Sequence, residues 1–414
     1  MRSMGRREFL EAGVAVALAA AVPGCARKPA VTVPPARLST PVRGGKTVAV
    51  AGVARGAPSA ALARAVRDAA LAATDLTWLR RGDRVLLKVA SNSPNPYPAT
   101  THPVAVSAMT ELLRDRGATV MVGDQAGVQD VHHTRAKQRG STRAAFRANG
   151  IERAALMSGA ELVAFEEAGY DGYTATGPAS GHFRREIFLP RVLGEVDHVV
   201  VLPRVSRHCL AGSSLGLKTA VGWLREDSRL DLHREDATFL EKCAEINAVP
   251  ALQDRLRLVL SVGTRLQTTV GPDFGWTAEP EVGVVLASEH LLDHDVASLA
   301  YLLEMVERET PWAERARDPY PALSSTLNRL FVWWVWGTDA LGGMEGYEAP
   351  PLASPWDCRM LRRGCAVLGG RPAALVLDPV DAVVPAALCE AIKHRAAGRP
   401  SACRQPEDSG SAVL

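Results

Sequence analysis

Short apolar runs alternate with longer amphipathic stretches along most of the chain, and this alternation predicts strands and helices in turn. The predicted strands are 47–53, 84–90, 119–123, 161–165, 185–189, 198–202, 257–262, 282–287 and 374–377. The predicted helices are 59–74, 102–116, 213–224, 234–247 and 291–308. No internal repeat interrupts the order.

Strands that alternate with helices form parallel crossovers, and helices then cover both faces of the sheet. We therefore predict an α/β fold: a mostly parallel sheet flanked by helices on both faces, with two subdomains around a central cleft. Ligands of such sheets bind beyond the carboxyl ends of the strands. The length of 414 residues fits this prediction, because it exceeds one ordinary core.

The composition is that of a globular protein, with 47% hydrophobic and 22% charged residues. The formal net charge is only +3, and no basic patch of the kind that binds nucleic acid is visible. We therefore expect no nucleic-acid partner.

The first 25 residues have the parts of an export signal. A positively charged start contains Arg6 and Arg7 before Phe9-Leu10, and an apolar stretch follows at 13–22. This stretch is about half of the roughly 20 residues that a helix needs to cross a bilayer, so residues 1–25 are predicted to be a signal peptide. The paired arginines resemble the signal of the twin-arginine export machinery, which predicts a periplasmic or outward-facing, membrane-anchored location.

Cys25 ends a segment that resembles a lipoprotein box, Val22-Pro23-Gly24-Cys25, and this predicts lipidation and membrane attachment at Cys25. The alternative is an ordinary cleaved signal in which Cys25 has no role. Residues 26–45 contain four prolines and are predicted to be an extended tether. Residues 396–414 are small and polar and are predicted to be a loose tail.

Six cysteines remain besides Cys25, an even number, and an oxidising compartment would permit disulfides between them. Cys358 and Cys365 form the predicted local bridge, while spacing assigns no other pair. The absence of any C-x-x-C spacing argues against an iron–sulfur centre held by this chain alone.

A polar loop follows the predicted strand 84–90. Lys88 lies inside the apolar strand and needs a partner or a ligand, because an unpaired ammonium is costly to bury. Thr101 and His102 lie at the start of the next helix, where free N–H groups attract anions. The alternative is a capping threonine and a solvated histidine.

Asp124 opens a second loop, after the strand 119–123. An aspartate at the end of a parallel strand can bind a cation, orient a lysine or act as a base, although it can also cap a turn. His132 and His133 follow in the same loop and are predicted to lie on the surface.

A third loop follows the strand 198–202 and contains Arg204, Arg207 and His208; Lys218 and His233 come after it. A basic loop that leads into a Gly/Ser-rich helix start is a good cradle for an anion. The Walker and Rossmann motifs are both absent from the sequence. The tryptophan-rich segment 331–337 is predicted to pack in the core, with a pocket wall or an interfacial patch as alternatives.

The order of these motifs resembles the domain of unknown function 362 family of bacteria and archaea. The resemblance implies an α/β domain over residues 46–305 and leaves 306–395 as a C-terminal extension packed on its core. The positions that carry it are Lys88, Ser93-Pro94, Thr101-His102-Pro103, Gly123-Asp124, Pro203, His208, Lys218, Gly222, Leu232-His233, Gly271-Pro272 and Asp295-Val296-Ala297.

The chain departs from the family pattern in the third loop. Arg204, Ser206 and Arg207 stand where the family has two lysines and a threonine, and Thr219 replaces an asparagine. Arginine can hold an anion but cannot act as a general base. The resemblance therefore implies a fold and a site rather than a reaction.

Together these features predict a basic cleft that binds a small anionic substrate or cofactor of unknown identity, as in an enzyme of unassigned reaction. The predicted catalytic groups are Asp124, His208 and Lys88. The predicted binding groups are Lys218, Arg204, Arg207, Thr101, His102 and His233. No metal is assigned, and the ligands of any metal would be His102, His208, His233 and Asp124. The alternatives are a non-catalytic periplasmic binding or maturation factor for a metal complex or redox partner, and a structural lipoprotein with a degenerate site.

Overall fold

The computed structural model describes residues 41–176 and 181–398 of the chain. The predicted signal peptide, Cys25, most of the predicted tether and residues 399–414 of the predicted tail lie outside this part. None of the helices within it is long and apolar enough to cross a membrane.

The described residues contain 17 strands. They are β1 Val42–Arg43, β2 Thr47–Ala54, β3 Arg84–Val89, β4 Thr119–Asp124, β5 His132–His133, β6 Gln138–Arg139, β7 Glu161–Ala164, β8 Tyr173–Ala175, β9 Phe188–Pro190, β10 His198–Leu202, β11 Arg204–His208, β12 Gly212–Ser214, β13 Leu256–Gln267, β14 Thr277–Ala278, β15 Val282–Ser288, β16 Arg371–Pro372 and β17 Val376–Pro379.

The α-helices of the same residues are α1 Ser59–Ala73, α2 Pro103–Asp115, α3 Thr142–Asn149, α4 Ile151–Ser158, α5 Gly216–Thr219, α6 Glu226–Arg234, α7 Phe239–Glu245, α8 Pro250–Gln253, α9 Leu291–Glu309, α10 Trp312–Ala316, α11 Ser324–Trp336, α12 Arg359–Val367 and α13 Ala386–Ala397. Short 3-10 helices span Phe165–Ala168, Tyr170–Gly172, Arg191–Glu195, Ala220–Trp223, Asp236–Thr238, Ile246–Ala248, Thr338–Leu341 and Pro355–Asp357.

Eleven of the described strands form one mixed sheet. Its main path is β17-β2-β15-β13-β10-β3-β4-β7; β11 and β14 pair with β13, and β12 pairs with β11. The ladders of this path are parallel except where β15 runs antiparallel to its two neighbours. The predicted α/β fold, with a mostly parallel sheet flanked by helices, is confirmed.

Both faces of the sheet are covered, as strand β3 illustrates. Val85, Leu87 and Val89 belong to a core shared with α1, α2 and α4. Leu86 belongs to a second core, on the other face, which α9 and α12 complete. Because side chains alternate along a strand, Lys88 lies on the same face as Leu86.

The predicted helix 213–224 is wrong at its start. Gly212 has a φ of +79°, the left-handed conformation that glycine tolerates, and it allows β11 and β12 to form a tight hairpin. Helix α5 then covers only four residues before the 3-10 turn Ala220–Trp223. A Gly/Ser-rich start favoured a turn over a helix here.

Other predicted elements are displaced. The predicted helix 234–247 is α7, and a separate helix, α6, precedes it where no element was predicted. The predicted strand 185–189 shrinks to β9, and the predicted strand 374–377 begins two residues later, as β17. His133 was expected on the surface but is buried, because β5 folds it against the rings of Tyr170 and Tyr173.

The predicted bridge between Cys358 and Cys365 is also wrong. Both are buried free thiols, as are Cys209, Cys243 and Cys389. Cys358 lies at the N-terminus of α12 and Cys365 two turns into it. Seven residues of helix span about 10 Å, beyond the ~7 Å that a disulfide can bridge between Cα atoms.

Candidate functional site

The carboxyl ends of three neighbouring parallel strands meet at one edge of the sheet. Leu202 at the end of β10 pairs with Val89 of β3, and Lys88 pairs with Gly123 of β4. The three polar loops identified in the sequence therefore begin side by side. This is the edge at which open α/β sheets bind ligands.

A cavity of about 1040 Å³, measured to include its open mouth, lies at this edge. It is lined by polar and apolar groups of the loops and by apolar side chains from more distant parts of the chain, namely Pro272, Leu327, Phe331 and Trp334. The predicted site residues that line it are Asp124, Arg204, His208, Lys218 and His233.

Lys88 lies beneath the cavity, only 1% exposed, and forms an ion pair with Asp124. Its Nζ is 2.7 Å from Asp124 Oδ1 and donates to the carbonyl oxygens of Val89 and Thr219 at 2.9 and 3.2 Å. Burial lowers the pKa of Lys88, and the carboxylate of Asp124 opposes that effect. The ammonium is thus fully engaged by the protein.

Asp124 is equally engaged. Its Oδ2 accepts a hydrogen bond from the backbone N–H of Ser91 at 2.7 Å, and its Oδ1 accepts one from the N–H of Gln125 at 2.8 Å. Together with Lys88, these donors occupy both oxygens. The pair therefore braces β3 against β4 and leaves no surplus negative charge for a second cation.

Gly222 packs against the Lys88–Asp124 ion pair. A Cβ added at this glycine would lie 2.3 Å from Asp124 Oδ1 and 2.6 Å from Lys88 Nζ, closer than real contacts allow. Glycine at 222 thus permits the turn Ala220–Trp223 to pack directly on the ion pair. The indole of Trp223 completes the cover, with its centroid 5.5 Å from Lys88 Nζ.

Lys218 is brought to the cavity by the short helix α5. The carboxylate of Asp295, on α9, accepts hydrogen bonds from the N–H groups of Gly216 and Leu217 at 2.9 and 2.7 Å and fixes the start of α5. Lys218 has no hydrogen bond or ion pair with any residue of the described ranges. It therefore differs from Lys88, although both lie near the same edge.

Burial lowers the pKa of Lys218. The thiols of Cys243 and Cys209 oppose this effect, whereas the guanidinium groups of Arg204 and Arg229 add to it. An anion bound beside Lys218 would oppose the shift, because it favours the charged form of the amine.

Arg229 is the site residue that sequence reasoning missed. It is 3% exposed, lines the cavity, and donates only to carbonyl oxygens, those of Leu224, Gln125, Ala126 and Gly222. Burial lowers its pKa. A local signal existed: Arg229 precedes His233 by four residues, so the two share a face of α6. The signal was lost because the sequence predicted no helix there.

Arg204 and His208 reach the cavity from strand β11. Arg204 donates to Ser214 Oγ at 3.1 Å and to Asn92 Oδ1 at 2.5 Å, and also to the carbonyl oxygen of Ala99. The Nδ1 atom of His208 accepts a hydrogen bond from the N–H of Leu210 at 3.1 Å. The third loop thus contributes a guanidinium and an imidazole to the cavity.

His233 contributes a neutral ring to the wall of the cavity. Burial lowers the pKa of His233 to about 3, and Asn328 binds its Nδ1 at 2.8 Å. The rings of Phe239, Phe331 and Trp336 surround it. An imidazole that stays neutral at physiological pH adds no charge to the site.

Three predicted binding residues lie outside the lining of this cavity. Arg207 is held by Asp318, with its Nε and Nη2 both 3.1 Å from Asp318 Oδ2. Thr101 joins two strands, because its Oγ1 accepts from the N–H of Ala90 and donates to the carbonyl of Leu202. His102 caps α2, and burial lowers its pKa to about 4.

The four candidate metal ligands do not come together. Within residues 41–176 and 181–398, no group of three or more His, Cys, Asp or Glu side chains could hold a metal ion. His102 caps a helix away from the cavity lining, and Asp124 is committed to Lys88.

The segment 331–337, for which core packing was the main prediction, divides between two roles. Phe331 and Trp334, in α11, line the cavity, whereas Trp333 is 44% exposed. Val332 is fully buried in a small core against which Trp336 packs. Both the core-packing prediction and the pocket-wall alternative therefore describe part of the segment.

Two solved structures are similar to part of this chain. One is the lactate racemase apoprotein from Thermoanaerobacterium thermosaccharolyticum, which is 15% identical, with a TM-score of 0.34 over 53% of this chain and 51% of that one. The other is a protein from Thermotoga maritima, which is 12% identical, with a TM-score of 0.32 over 52% of this chain and 53% of that one. The match spans about half the length of each. No curated protein matches the chain.

Residues 85–300 match the family described as "Domain of unknown function (DUF362)". The matched range contains β4, β10 and all of β3 but its first residue, together with the Lys88–Asp124 pair, Lys218 and Arg229. Because it covers just over half of the chain, the resemblance inferred from the ordered motifs is confirmed, and the chain belongs to this family.

Proposed function

We propose that this chain is an exported α/β protein whose basic cleft binds a small anionic ligand, as a substrate or a cofactor. The surplus of positive charge at the cavity carries this proposal. Lys218 and Arg229 form no ion pair within the described part of the chain, whereas the nearby carboxylate of Asp124 is already neutralised by Lys88.

The excess of cationic over anionic side chains at the cavity supports an anionic ligand. A buried cation without a counter-ion costs free energy, which a bound anion would recover through charge-assisted hydrogen bonds. Arg204 adds a third cationic group to the same lining. The cleft therefore has the electrostatic character of a phosphate or carboxylate site.

An enzyme is the function that best fits the lowered pKa of Lys218. A lysine with a lowered pKa is typical of general bases and nucleophiles, and His208 lies in the same cavity as a second proton-transfer group. Lys88 and Asp124, which are committed to each other, hold the site together in this proposal and do not act on the ligand. A binding or maturation factor would use the same cations without turnover.

The proposal is tested by thermal unfolding with and without sulfate, phosphate and simple carboxylates. A ligand that binds only the native state at a hundredfold excess over its Kd stabilises it by about 2.7 kcal/mol. Lys218→Ala should remove most of that gain. Lys137→Ala, on the exposed loop between β5 and β6, should retain it.

Two results would contradict the proposal. One is that no anion stabilises the wild-type protein. The other is that the variants Lys218→Ala and Lys137→Ala respond to anions alike. Either result would favour the structural lipoprotein with a degenerate site.

Export and anchoring complete the proposal. The twin-arginine segment with Arg6 and Arg7 would direct the chain across the cytoplasmic membrane, and lipidated Cys25 would hold it there. Residues 26–45 would then form the tether between the anchor and the α/β domain.

A further inference from the structure

Helix α11 presents one apolar face to the cavity. Leu327, Phe331 and Trp334 are spaced by four and then three residues, so they share a face of the helix, and all three line the cavity. The neighbouring Trp333 points elsewhere and is 44% exposed. Helix α11 also lies beyond residues 85–300, the range that matches the family.

The helix is fixed in place by specific contacts with α6. Asn328 donates from Nδ2 to the carbonyl oxygen of His233 at 2.9 Å, and its Oδ1 lies 2.8 Å from His233 Nδ1. Trp336 donates from its indole to Glu226 Oε1 at 3.2 Å. Because α6 also carries Arg229, the apolar wall and the cations belong to one connected unit.

The cavity therefore combines cations with an apolar wall. An inorganic anion could contact the cations of the lining but would make no apolar contact with Leu327, Phe331 and Trp334, which line the same cavity. Aromatic side chains favour flat apolar partners, which gain both burial and ring contacts. We infer that the cleft selects organic anions in which a carboxylate or phosphate group is joined to a flat apolar body. This inference rests on the proposed anion-binding function and names its ligand class.

The experiment compares probes that share an anionic group but differ in the apolar body. Inorganic phosphate is paired with phenyl phosphate, and acetate with benzoate, in calorimetric titrations of the wild-type protein. We expect the aromatic member of each pair to bind about tenfold more tightly, since one buried ring contact is worth roughly that factor.

Two single variants then test the wall. Trp334→Ala should lose the preference for the aromatic probe and retain the affinity for inorganic phosphate. Trp333→Ala, one residue away on the exposed side, should behave as the wild type. If Trp334→Ala fails to fold, Phe331→Leu, which removes the ring and keeps an apolar side chain, should show the same loss in weaker form.

The outcomes separate this inference from the proposed function. Equal affinity for the two members of each pair, or equal behaviour of Trp334→Ala and Trp333→Ala, would overturn the aromatic wall while leaving the anion site intact. No binding of any probe would overturn the anion site itself, and the aromatic wall with it.

Discussion

Two lysines near the same edge of the sheet show how partners decide the role of a residue. Burial lowers the pKa of both Lys88 and Lys218. Lys88 has a carboxylate at 2.7 Å and two carbonyl acceptors, so its charge is neutralised within the protein. Lys218 has no such partner in the described chain. A bound anion would therefore favour its protonated form more strongly than any group of the described protein does.

Sulfate affinity should therefore depend on pH through Lys218. Sulfate keeps its charge above pH 7, so its affinity should fall as the pH rises through the lowered pKa of Lys218, below 10.5. The sign follows because the anion binds the ammonium and not the neutral amine. The thiols of Cys209 and Cys243 do not interfere, since burial raises their pKa values to about 12 and 11.

Calorimetric titrations at several pH values test this dependence, with Lys218→Arg as the control. An arginine keeps its charge throughout the range, so this variant should hold its sulfate affinity where the wild type loses about tenfold. If the wild type and the arginine variant lose affinity in parallel, another group is responsible for the change.

At the scale of elements, the strands were the most predictable part of the fold. Strands such as β3 and β10 are apolar runs bounded by polar residues, so a local pattern was enough to find them. The hairpin of β11 and β12 was missed because it depends on one glycine conformation, at Gly212. The aromatic wall was only an alternative in the sequence analysis, because α11 meets the cavity from about 100 residues away in sequence and spacing carries no such information.

The candidate site follows the same division. Asp124, Lys218 and His208 were found because each follows or lies within a predicted element at the ligand-binding edge. Arg229 was missed because helix α6 was not predicted. Arg207 was assigned to the cleft, but it binds Asp318 and lies outside the cavity lining. Side-chain direction within a basic loop depends on tertiary contacts that the loop itself does not encode.

The turn Ala220–Trp223 gives an element-scale prediction. Gly222→Ala would drive a methyl group into the Lys88–Asp124 pair, so it should destabilise the protein by about 2 kcal/mol, as overpacking of a core does. Gly194→Ala, in the 3-10 helix Arg191–Glu195, meets no atom within 4 Å and should change stability by less than about 1 kcal/mol. Urea unfolding measures both. Equal stability of the two variants would show that the close approach at Gly222 is not a constraint.

At the scale of the whole molecule, both ends of the described chain complete one sheet. Strand β2, near the start, lies between β15 and β17, and β17 follows it by more than 300 residues. Its register with β2 pairs Val376 with Thr47 and Pro379 with Val50. This edge of the sheet can form only after residues 376–379 have been synthesised, so it is completed later than the strands that come before it in sequence.

A sheet that is completed late is compatible with the proposed twin-arginine route, which carries folded proteins. Substitutions in the first residues test this route. Arg6→Lys with Arg7→Lys should leave the full-length precursor in the cytoplasm, because the paired guanidinium groups are the feature that is recognised. Arg2→Lys, outside the pair, should be exported as the wild type is.

Cys25→Ser should be exported but should leave the membrane fraction, since it cannot carry the lipid. Cell fractionation with immunoblotting measures all three. Normal export of the double variant would refute the twin-arginine route, and membrane attachment of the Cys25→Ser protein would refute the lipid tether.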